Sequence, residues 1–530
     1  MKQIGFKNFR KFENFPTMDL GDITILVGGN NAGKSTVVKA ILLITEFLKT
    51  TAFVNEDDDS AILNNRFYFD KNYYAHIGTV SRAICNTAKD KELKFYTNFG
   101  DCSISITLYQ DDDSANATNA FIREVELKDL NRGIDYYLDF TKDLLRAKFQ
   151  PRSLEEQPNE ERTKAEKELK ELRSQKRKEK DLSKKAELSD RIRDLNSYLR
   201  YVKKQNKAIS EPRVIETTIT GYRGMVGGPL LEMCLYRLIG LEQYFDTNGE
   251  PKPNRKESKK NFNLTKEDIA FLVQYGNPLF HSISMFDGFD FHMRRYEYIY
   301  AHSANQMIIY NSKDSNDYLV KTIHEFANMR IKPGELANRF VKEWMQKFEI
   351  GTDYRLKSVG GEAHTLEIKD NSNNYVYLAD KGMGSIQLMI LLLRLATFIG
   401  KRHEVSRRNN ITIMVEEPEQ NLHPKLQSEL MDLFVYLNKE YGFRFIIETH
   451  SEYMVRKSQV IVGDYNLKTE EDLEKNNPFM VYYFPEKGEP YKMKYTTSGL
   501  FENDFDTGFF DEATRHQLKL LQNKRRNTNV

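Results

Sequence analysis

The sequence is poor in cysteine. Its 530 residues include three cysteines, Cys85, Cys102 and Cys234, which lie far apart and form no Cys-X-X-Cys pair. This spacing argues against a zinc site and against a disulfide framework. Few, widely spaced cysteines are typical of a reducing compartment, so we predict a cytoplasmic protein.

A long apolar run is missing as well. The first residues contain no apolar core of a signal peptide. The longest apolar stretch, 386–400, is interrupted by Arg394 and is shorter than the ~18–20 residues that a membrane-spanning helix requires. We therefore expect no membrane segment.

Net charge is nearly balanced at +2, but one segment is strongly basic. Residues 161–207 contain no glycine or proline, and they carry 17 Lys and Arg against 9 Asp and Glu. Apolar residues recur there at spacings of three and four, which predicts an antiparallel helical hairpin that forms a short coiled coil. Its net charge of +8 suits contact with DNA phosphates, and it equally suits a solvated coiled coil.

A glycine-rich loop gives the strongest functional pattern. It follows a predicted strand, 22–27, precedes a predicted helix that starts at Ser35, and fits G-x-x-x-x-G-K-[ST]. In this pattern backbone N–H groups bind phosphate, the lysine reaches the β- and γ-phosphates, and the hydroxyl binds Mg²⁺. We predict an ATP site formed by Gly28, Gly29, Asn30, Asn31, Ala32, Gly33, Lys34, Ser35 and Thr36.

Two acids follow a second apolar strand, 411–415. Glu416 and Glu417 lie at its carboxyl end, where α/β sheets bind ligands. We predict that Glu416 binds Mg²⁺ through water and that Glu417 polarises the attacking water. A third strand, 443–447, precedes His450, which we predict to donate a hydrogen bond to the γ-phosphate or to that water.

The order of these motifs resembles the SMC/RecF-like branch of ABC ATPases. The acidic motif EEPEQNLHP (416–424) and Thr449-His450-Ser451 resemble, more narrowly, the OLD-like ATPases, and KNFR (7–10) resembles the branch's first strand. The resemblance implies an α/β fold with a split, ABC-type P-loop head and an inserted coiled-coil hairpin. We expect an N-terminal half of the head at 1–150, the hairpin at 151–210, a helix-rich middle region at 211–350, the C-terminal half at 351–490 and a tail element at 491–530.

The resemblance also implies a homodimer, or a higher oligomer, that encloses ATP between two heads. The signature segment would lie near Gly384 and Ser385, which would contact the γ-phosphate on a partner subunit, although 380–387 departs from LSGGQ. A plain helix cap by Ser385 is the alternative. Residues 420–423 would form the D-loop. We include Arg10 among the residues expected to contact ATP. His76 is our candidate for the glutamine-bearing loop of ABC heads.

OLD proteins usually carry a Toprim nuclease after the head. Asp504 and Asp506 form D-x-D, but in a glycine-aromatic tail without a βα framework, and we interpret them as a surface turn. We therefore expect no nuclease on this chain. The resemblance then suggests an anti-phage defence ATPase of the Septu or PARIS type, acting with a separate effector protein.

Other functions stay open at this point. A RecF- or SMC-like ATPase that clamps DNA for repair or chromosome maintenance is the main alternative. A transporter ATPase subunit is disfavoured by the predicted coiled coil and by the missing LSGGQ. A sensor that binds ATP with little turnover is a further possibility, and slow hydrolysis is expected in any case.

Overall fold

A computed structural model of the chain describes residues 1–49, 65–71, 75–90, 92–110, 117–151, 212–219, 263–287, 296–300, 307–311, 317–401, 411–506 and 509–528, with parts of 167–196 and 230–252. The chain divides into two compact units, Met1–Thr17 with Leu42–Met293 and Met18–Ile41 with Arg294–Val530. The predicted hairpin lies mostly outside the described residues, although the described Arg191 pairs with Glu168. The hairpin and the five predicted domain ranges stay predictions.

The described elements are numbered here in chain order. The strands are β1 Gln3–Phe9, β2 Phe12–Asp19, β3 Ile23–Gly28, β4 Arg66–Tyr68, β5 Leu93–Asn98, β6 Cys102–Tyr109, β7 Asn119–Asp129, β8 Ile134–Asp139, β9 Leu144–Phe149, β10 Arg213–Thr218, β11 Tyr296–Ile299, β12 Tyr310–Asn311, β13 Asp353–Val359, β14 Ala363–Lys369, β15 Tyr375–Tyr377, β16 Thr412–Glu416, β17 Arg444–Thr449, β18 Phe479–Phe484 and β19 Tyr491–Met493. The α-helices are α1 Lys34–Lys49, α2 Val80–Ala83, α3 Lys266–Asp287, α4 Tyr318–Asn328, α5 Leu336–Lys347, α6 Met383–Lys401, α7 Pro424–Tyr441, α8 Glu452–Asp464, α9 Glu470–Asn476 and α10 Glu512–Thr528.

The first unit is built on a large antiparallel sheet. Nine strands of the described chain form it in the order β10-β9-β8-β7-β6-β5-β1-β2, with β4 paired to β7. In β7, buried and partly exposed residues alternate along much of the strand. This alternation follows from the period of two in a strand that packs one face on a core.

The second unit contains a mostly parallel sheet. In the described residues its strand order is β11-β16-β17-β3-β18-β19, and β19 is the antiparallel strand at one edge. All six residues of β3 are buried, as the apolar run predicts for a parallel strand that is covered on both faces. Since β3 comes from the N-terminal region and β16 and β17 come from the C-terminal region, the predicted split α/β fold is confirmed.

Helix α6 forms the centre of the core of the second unit. Residues 386–399 are all buried, including Arg394, which forms ion pairs with Glu325 and Glu297. Among the described helices α6 is the one long and apolar enough to cross a membrane, so the expectation that this stretch is too short was wrong. Burial explains its composition, because 78% of the apolar window lies inside the protein.

The tail packs its aromatic residues onto the parallel sheet. Phe505 and Phe509 contact Tyr483 of β18 edge to face, with ring centroids 5.2 and 5.0 Å away. Asp504 and Asp506 are exposed, in keeping with the predicted surface turn. Gly499 lies in a separate turn, where its N–H bonds to the carbonyl oxygen of Thr496 and its backbone, with a φ of 83°, lies against α8.

We expect Gly499→Ala to lower the midpoint of thermal unfolding more than Gly488→Ala does. Both glycines have a left-handed φ, 83° and 99°, so each substitution costs about 1 kcal/mol of backbone strain. A methyl group at 499 would also lie 2.1 Å from the carbonyl oxygen of Gln459, whereas one at 488 would meet nothing within 4 Å. Scanning fluorimetry measures both midpoints, and equal shifts would contradict this packing.

Candidate functional site

Three strands of the parallel sheet end at one place. β17 lies between β16 and β3 and runs parallel to both, so their carboxyl ends meet at the same edge. Glu416 of β16 is in register with Glu448 of β17, and Thr449 is in register with Val27 of β3. The glycine-rich loop, the paired acids and the histidine motif are thereby brought together from distant parts of the sequence.

The glycine-rich loop has a backbone that side chains would disturb. Gly28 lies so close to β18 that a Cβ atom there would be 2.3 Å from the carbonyl oxygen of Phe484. Gly33 has a φ of 111°, which L-residues rarely adopt. Helix α1 begins directly after it, at Lys34. The loop and the N-terminus of α1 therefore follow directly after the carboxyl end of β3, a position that suits an anion.

Lys34 is buried, with 3% of its surface exposed, and its ammonium group lies inside the loop. Its Nζ donates to the carbonyl oxygens of Gly28 and Gly29 at 3.0 and 2.9 Å. The same nitrogen lies 3.1 Å from Nε2 of His450. These three contacts match the three N–H donors of an ammonium group.

Ser35 contacts an acid to which the sequence patterns assigned no role. Its Oγ donates to Oε1 of Glu448 at 2.7 Å. Glu448 is buried, and its Oε2 has no hydrogen-bond partner among the described residues. Burial raises the pKa of Glu448 to about 7, with the charge of Glu416 adding to this and the Ser35 hydrogen bond opposing it.

Glu416 and Glu417 have different surroundings although they are adjacent. The hydroxyl of Tyr298, on the neighbouring strand β11, is hydrogen-bonded to Glu416. Burial is the main cause that raises the pKa of Tyr298, and the negative charge of Glu416 raises it further. Glu417 has a φ of 41°, a left-handed conformation that costs a residue with a Cβ roughly 1–2 kcal/mol. Its carboxylate accepts a hydrogen bond from the amide of Gln420.

His450 lies between the lysine and the second acid. Its Nε2 is 3.1 Å from Lys34 Nζ and 3.5 Å from Glu417 Oε1. An ammonium group only donates, so Nε2 accepts from Lys34 when it carries no proton, and donates to Glu417 when it carries one. The hydrogen bond from His450, followed by that from Gln420, lowers the pKa of Glu417.

Glu419 holds the backbone of the histidine motif. Its Oε1 accepts from the N–H of His450 at 2.7 Å, and its burial raises the pKa of this carboxyl. The next residue of the motif, Ser451, caps α8 by accepting from the N–H of Met454. The motif therefore combines a polar side chain at the sheet edge with the start of a helix.

The LHP part of the acidic motif has a local structural role as well. His423 caps α7 with its Nδ1, which accepts from the N–H of Lys425 at 3.3 Å, and Pro424 takes the first helical position. Proline suits this position because its missing N–H would have no partner there.

The predicted signature residues lie in the first turn of α6, against the predicted D-loop of the same chain. A Cβ atom on Gly384 would be 2.7 Å from the carbonyl oxygen of Asn421. The side chain of Asn421 also donates to the buried Gln387 at 3.2 Å. Ser385 N–H bonds to Gly382 within the turn. The start of α6 is thus fixed to the loop that follows the paired acids.

Two predicted residues belong to the first unit. Arg10 and His76 are both in left-handed conformations, with φ values of 53° and 49°. Their roles at the nucleotide stay predictions.

The sequence patterns missed Glu448, Glu419 and Tyr298 as members of the site. The rule that identified Glu416, an acid at the carboxyl end of a buried strand, applies to Glu448 too, and it is the signal that could have found it.

The donor set at this edge fits a hard cation. Ser35, Glu416, Glu417 and Glu448 present only oxygen, which is the ligand type that Mg²⁺ prefers. No group of three or more His, Cys, Asp or Glu side chains in the described chain is arranged to hold a metal by itself. Mg²⁺ in proteins usually keeps several waters and is held by one or two carboxylates together with phosphate oxygens.

A family model described as AAA ATPase domain matches residues 1–455. No curated protein matches the chain. Solved structures similar to it include an Smc head with an extended coiled coil from Pyrococcus furiosus, at 10% identity, 99% coverage of both chains and a TM-score of 0.32. Another is an Smc head from Pyrococcus yayanosii, at 12% identity, 94% and 97% coverage and a TM-score of 0.32. An SMC head from Thermotoga maritima has 10% identity, 93% and 98% coverage and a TM-score of 0.30.

Gly28→Ala should weaken the binding of a fluorescent ATP analogue by at least about tenfold, because its methyl group would displace the loop from Phe484. Gly29→Ala is the matched control. A Cβ atom there would meet only Glu486 Cγ, at 3.9 Å, so we expect an affinity close to that of the native chain. Fluorescence titration measures both. Equal affinities for the two variants would show that the close approach at Gly28 does not shape the site.

Proposed function

Because the chain belongs to the AAA ATPase domain family, we propose that it binds ATP with Mg²⁺ at this sheet edge and hydrolyses it. One observation carries the proposal: Lys34 and Ser35 contact His450 and Glu448, which follow them by more than 400 residues. A glycine-rich turn with a purely structural role gives no reason for this convergence of a loop, three acids and a histidine.

ATP would replace contacts that Lys34 now makes within the loop. The β- and γ-phosphates would take the place of the Gly28 and Gly29 carbonyl oxygens as acceptors for its ammonium group. Asn30, Asn31, Ala32, Gly33 and Thr36 would supply further loop contacts. Ser35 and Glu416 would hold Mg²⁺, which would neutralise charge on the transferred phosphoryl group.

Glu417 would act as the base that orients and polarises the attacking water. Its strained backbone and the Gln420 hydrogen bond fix the carboxylate, and its lowered pKa keeps it ionised at neutral pH. When phosphate draws Lys34 away, Nε2 of His450 is released to bond the γ-phosphate or the water. Arg10 is proposed as a further contact to ATP.

We further propose an ABC-type head of the SMC/RecF-like branch that dimerises around two ATP molecules. Gly384 and Ser385 of one subunit would contact the γ-phosphate held by the other. The packing of Gly384 on Asn421 supports this proposal, because it ties the signature of one chain to the loop after its own acids. Hydrolysis in one site would then alter the surface offered to the other.

For the biological role we propose anti-phage defence in the cytoplasm, with a separate effector such as a nuclease. The OLD-like EEPE and LHP motifs and the Septu- and PARIS-type resemblance support it. The alternative is a RecF- or SMC-like clamp on DNA, which the +8 charge of residues 161–207 favours.

Replacement of Glu417 tests turnover. We expect Glu417→Gln to keep ATP affinity within about threefold and to lower the rate of phosphate release by roughly 10²–10⁴-fold, since it removes the base and leaves the loop intact. The control is Glu429→Gln, which replaces a half-buried glutamate on α7. This variant should hydrolyse ATP at the native rate. If native chain and Glu417→Gln release phosphate equally slowly while both bind ATP, the protein is a sensor and not an enzyme.

The same variant tests the dimer. In light scattering after gel filtration, Glu417→Gln with ATP and Mg²⁺ should have the mass of two chains. Adding Ser385→Arg should return the monomer mass without loss of ATP binding, because the longer side chain would fill the proposed contact with the partner's γ-phosphate. A monomer in both cases would contradict the dimer of heads.

The trapped state also distinguishes the two biological roles. Tagged Glu417→Gln with ATP should retain an effector protein from host cells, identified by mass spectrometry against a sample without nucleotide. Recovery of DNA in a salt-sensitive manner, with no retained protein, would instead support the clamp. The Lys34→Ala chain, which should not bind ATP, controls for retention that is independent of nucleotide.

A further inference from the structure

We propose that the carboxylate of Glu448, on β17, orients the Ser35 hydroxyl toward Mg²⁺ and adds a negative charge beside the metal. This inference rests on the proposed function, since it assigns a further residue to the same magnesium-nucleotide site. Glu448 is here a positioning residue, because it acts through Ser35 and through its charge and is not itself proposed as a ligand of the metal.

The contact between the two side chains fixes the direction of one proton. A serine hydroxyl has a single O–H donor and two acceptor lone pairs. Glu448 Oε1 lies 2.7 Å from Ser35 Oγ and accepts a hydrogen bond from it, so the lone pairs of Oγ are left for a cation. Without such an acceptor the hydroxyl can rotate, and its proton can point at the metal.

Glu448 is buried at the site and has spare capacity as an acceptor. Its residue surface is 4% exposed, and its Oε2 has no hydrogen-bond partner among the described residues. A buried polar atom without a partner costs about 1–3 kcal/mol, so its retention calls for an explanation. A water molecule bound to Mg²⁺ would supply a donor of the required kind.

Glu416 is less suited to orient Ser35. The hydroxyl of Tyr298 on β11 is hydrogen-bonded to Glu416, on the side away from β17. Neighbouring parallel strands lie about 4.8 Å apart, so the register between Glu416 and Glu448 places two carboxylates side by side. Two such groups repel each other unless a cation lies between or beside them.

The experiment measures how nucleotide affinity depends on Mg²⁺ in the full-length chain. Glu448→Gln keeps an oxygen that can accept from Ser35 and removes the charge. We expect it to leave the affinity for a fluorescent ATP analogue in EDTA near the native value. The Mg²⁺ concentration that gives half of the maximal gain in affinity should rise about 10–100-fold, as is typical when an outer-shell partner of a metal is replaced.

Two further variants make the result specific. Glu429→Gln is the matched control, because Glu429 also has an Oε2 without a hydrogen-bond partner in the described chain, but it is half-buried and lies on α7. Its Mg²⁺ curve should overlay that of the native chain. Glu448→Ala, which also removes the acceptor for Ser35, should shift the Mg²⁺ curve further than Glu448→Gln does, and in a Ser35→Ala background the two replacements should shift it equally.

The outcomes distinguish a failure of this inference from a failure of the proposed function on which it rests. If the native chain does not bind the analogue with Mg²⁺, the proposed function fails. If it does bind, and the Mg²⁺ curves of native and Glu448→Gln coincide, only the role of Glu448 is refuted. If Glu448→Ala exceeds Glu448→Gln by the same factor with Ser35 and with Ala at position 35, action through Ser35 is refuted. If Glu448→Gln does not fold, Glu448→Ala is titrated in its place and is judged by the same curves.

Discussion

The parallel pairing of β3 with β17 is the interaction on which the site is built. It joins the strand before the glycine-rich loop to the strand before the histidine, and Ser35 and Glu448 are 413 positions apart in the sequence. Closing a chain loop of that length costs about 5 kcal/mol, because the entropy grows only with the logarithm of length. Burying two or three apolar side chains, such as Ile25 and Ile447, offsets this at about 1.5–3 kcal/mol each.

Much of the second unit could be predicted because its strands are buried on both faces. Continuous apolar runs mark β3, β16 and β17, and the polar residues after each run mark the edge where ligands bind. The order of the antiparallel strands in the first unit could not be predicted, since alternation shows which face is buried and not which strand lies alongside. The apolar stretch 386–400 is shorter than α6, because the helix begins at Met383 and ends at Lys401, and ion pairs with Glu325 and Glu297 let Arg394 lie within the core.

The site, like the fold, contains residues that could be predicted from the sequence and residues that could not. Lys34, Glu417 and His450 belong to patterns whose spacing follows from phosphate chemistry, and the structure places them together. The contributions of Glu448 and Glu419 depend on which way a side chain points at a strand end and on what lies across the sheet. A single sequence does not contain that information, because the partners are hundreds of residues away.

The contacts of Lys34 within the loop set a cost for any anion that binds its ammonium group. Its ammonium group is already satisfied by two carbonyl oxygens and an imidazole nitrogen, so an incoming nucleotide gains only the difference between these bonds and its own. Breaking these contacts costs the same free energy for a triphosphate as for a diphosphate, whereas the triphosphate offers more charge and more acceptors in return. The group with fewer phosphates is therefore left with the smaller net gain in free energy.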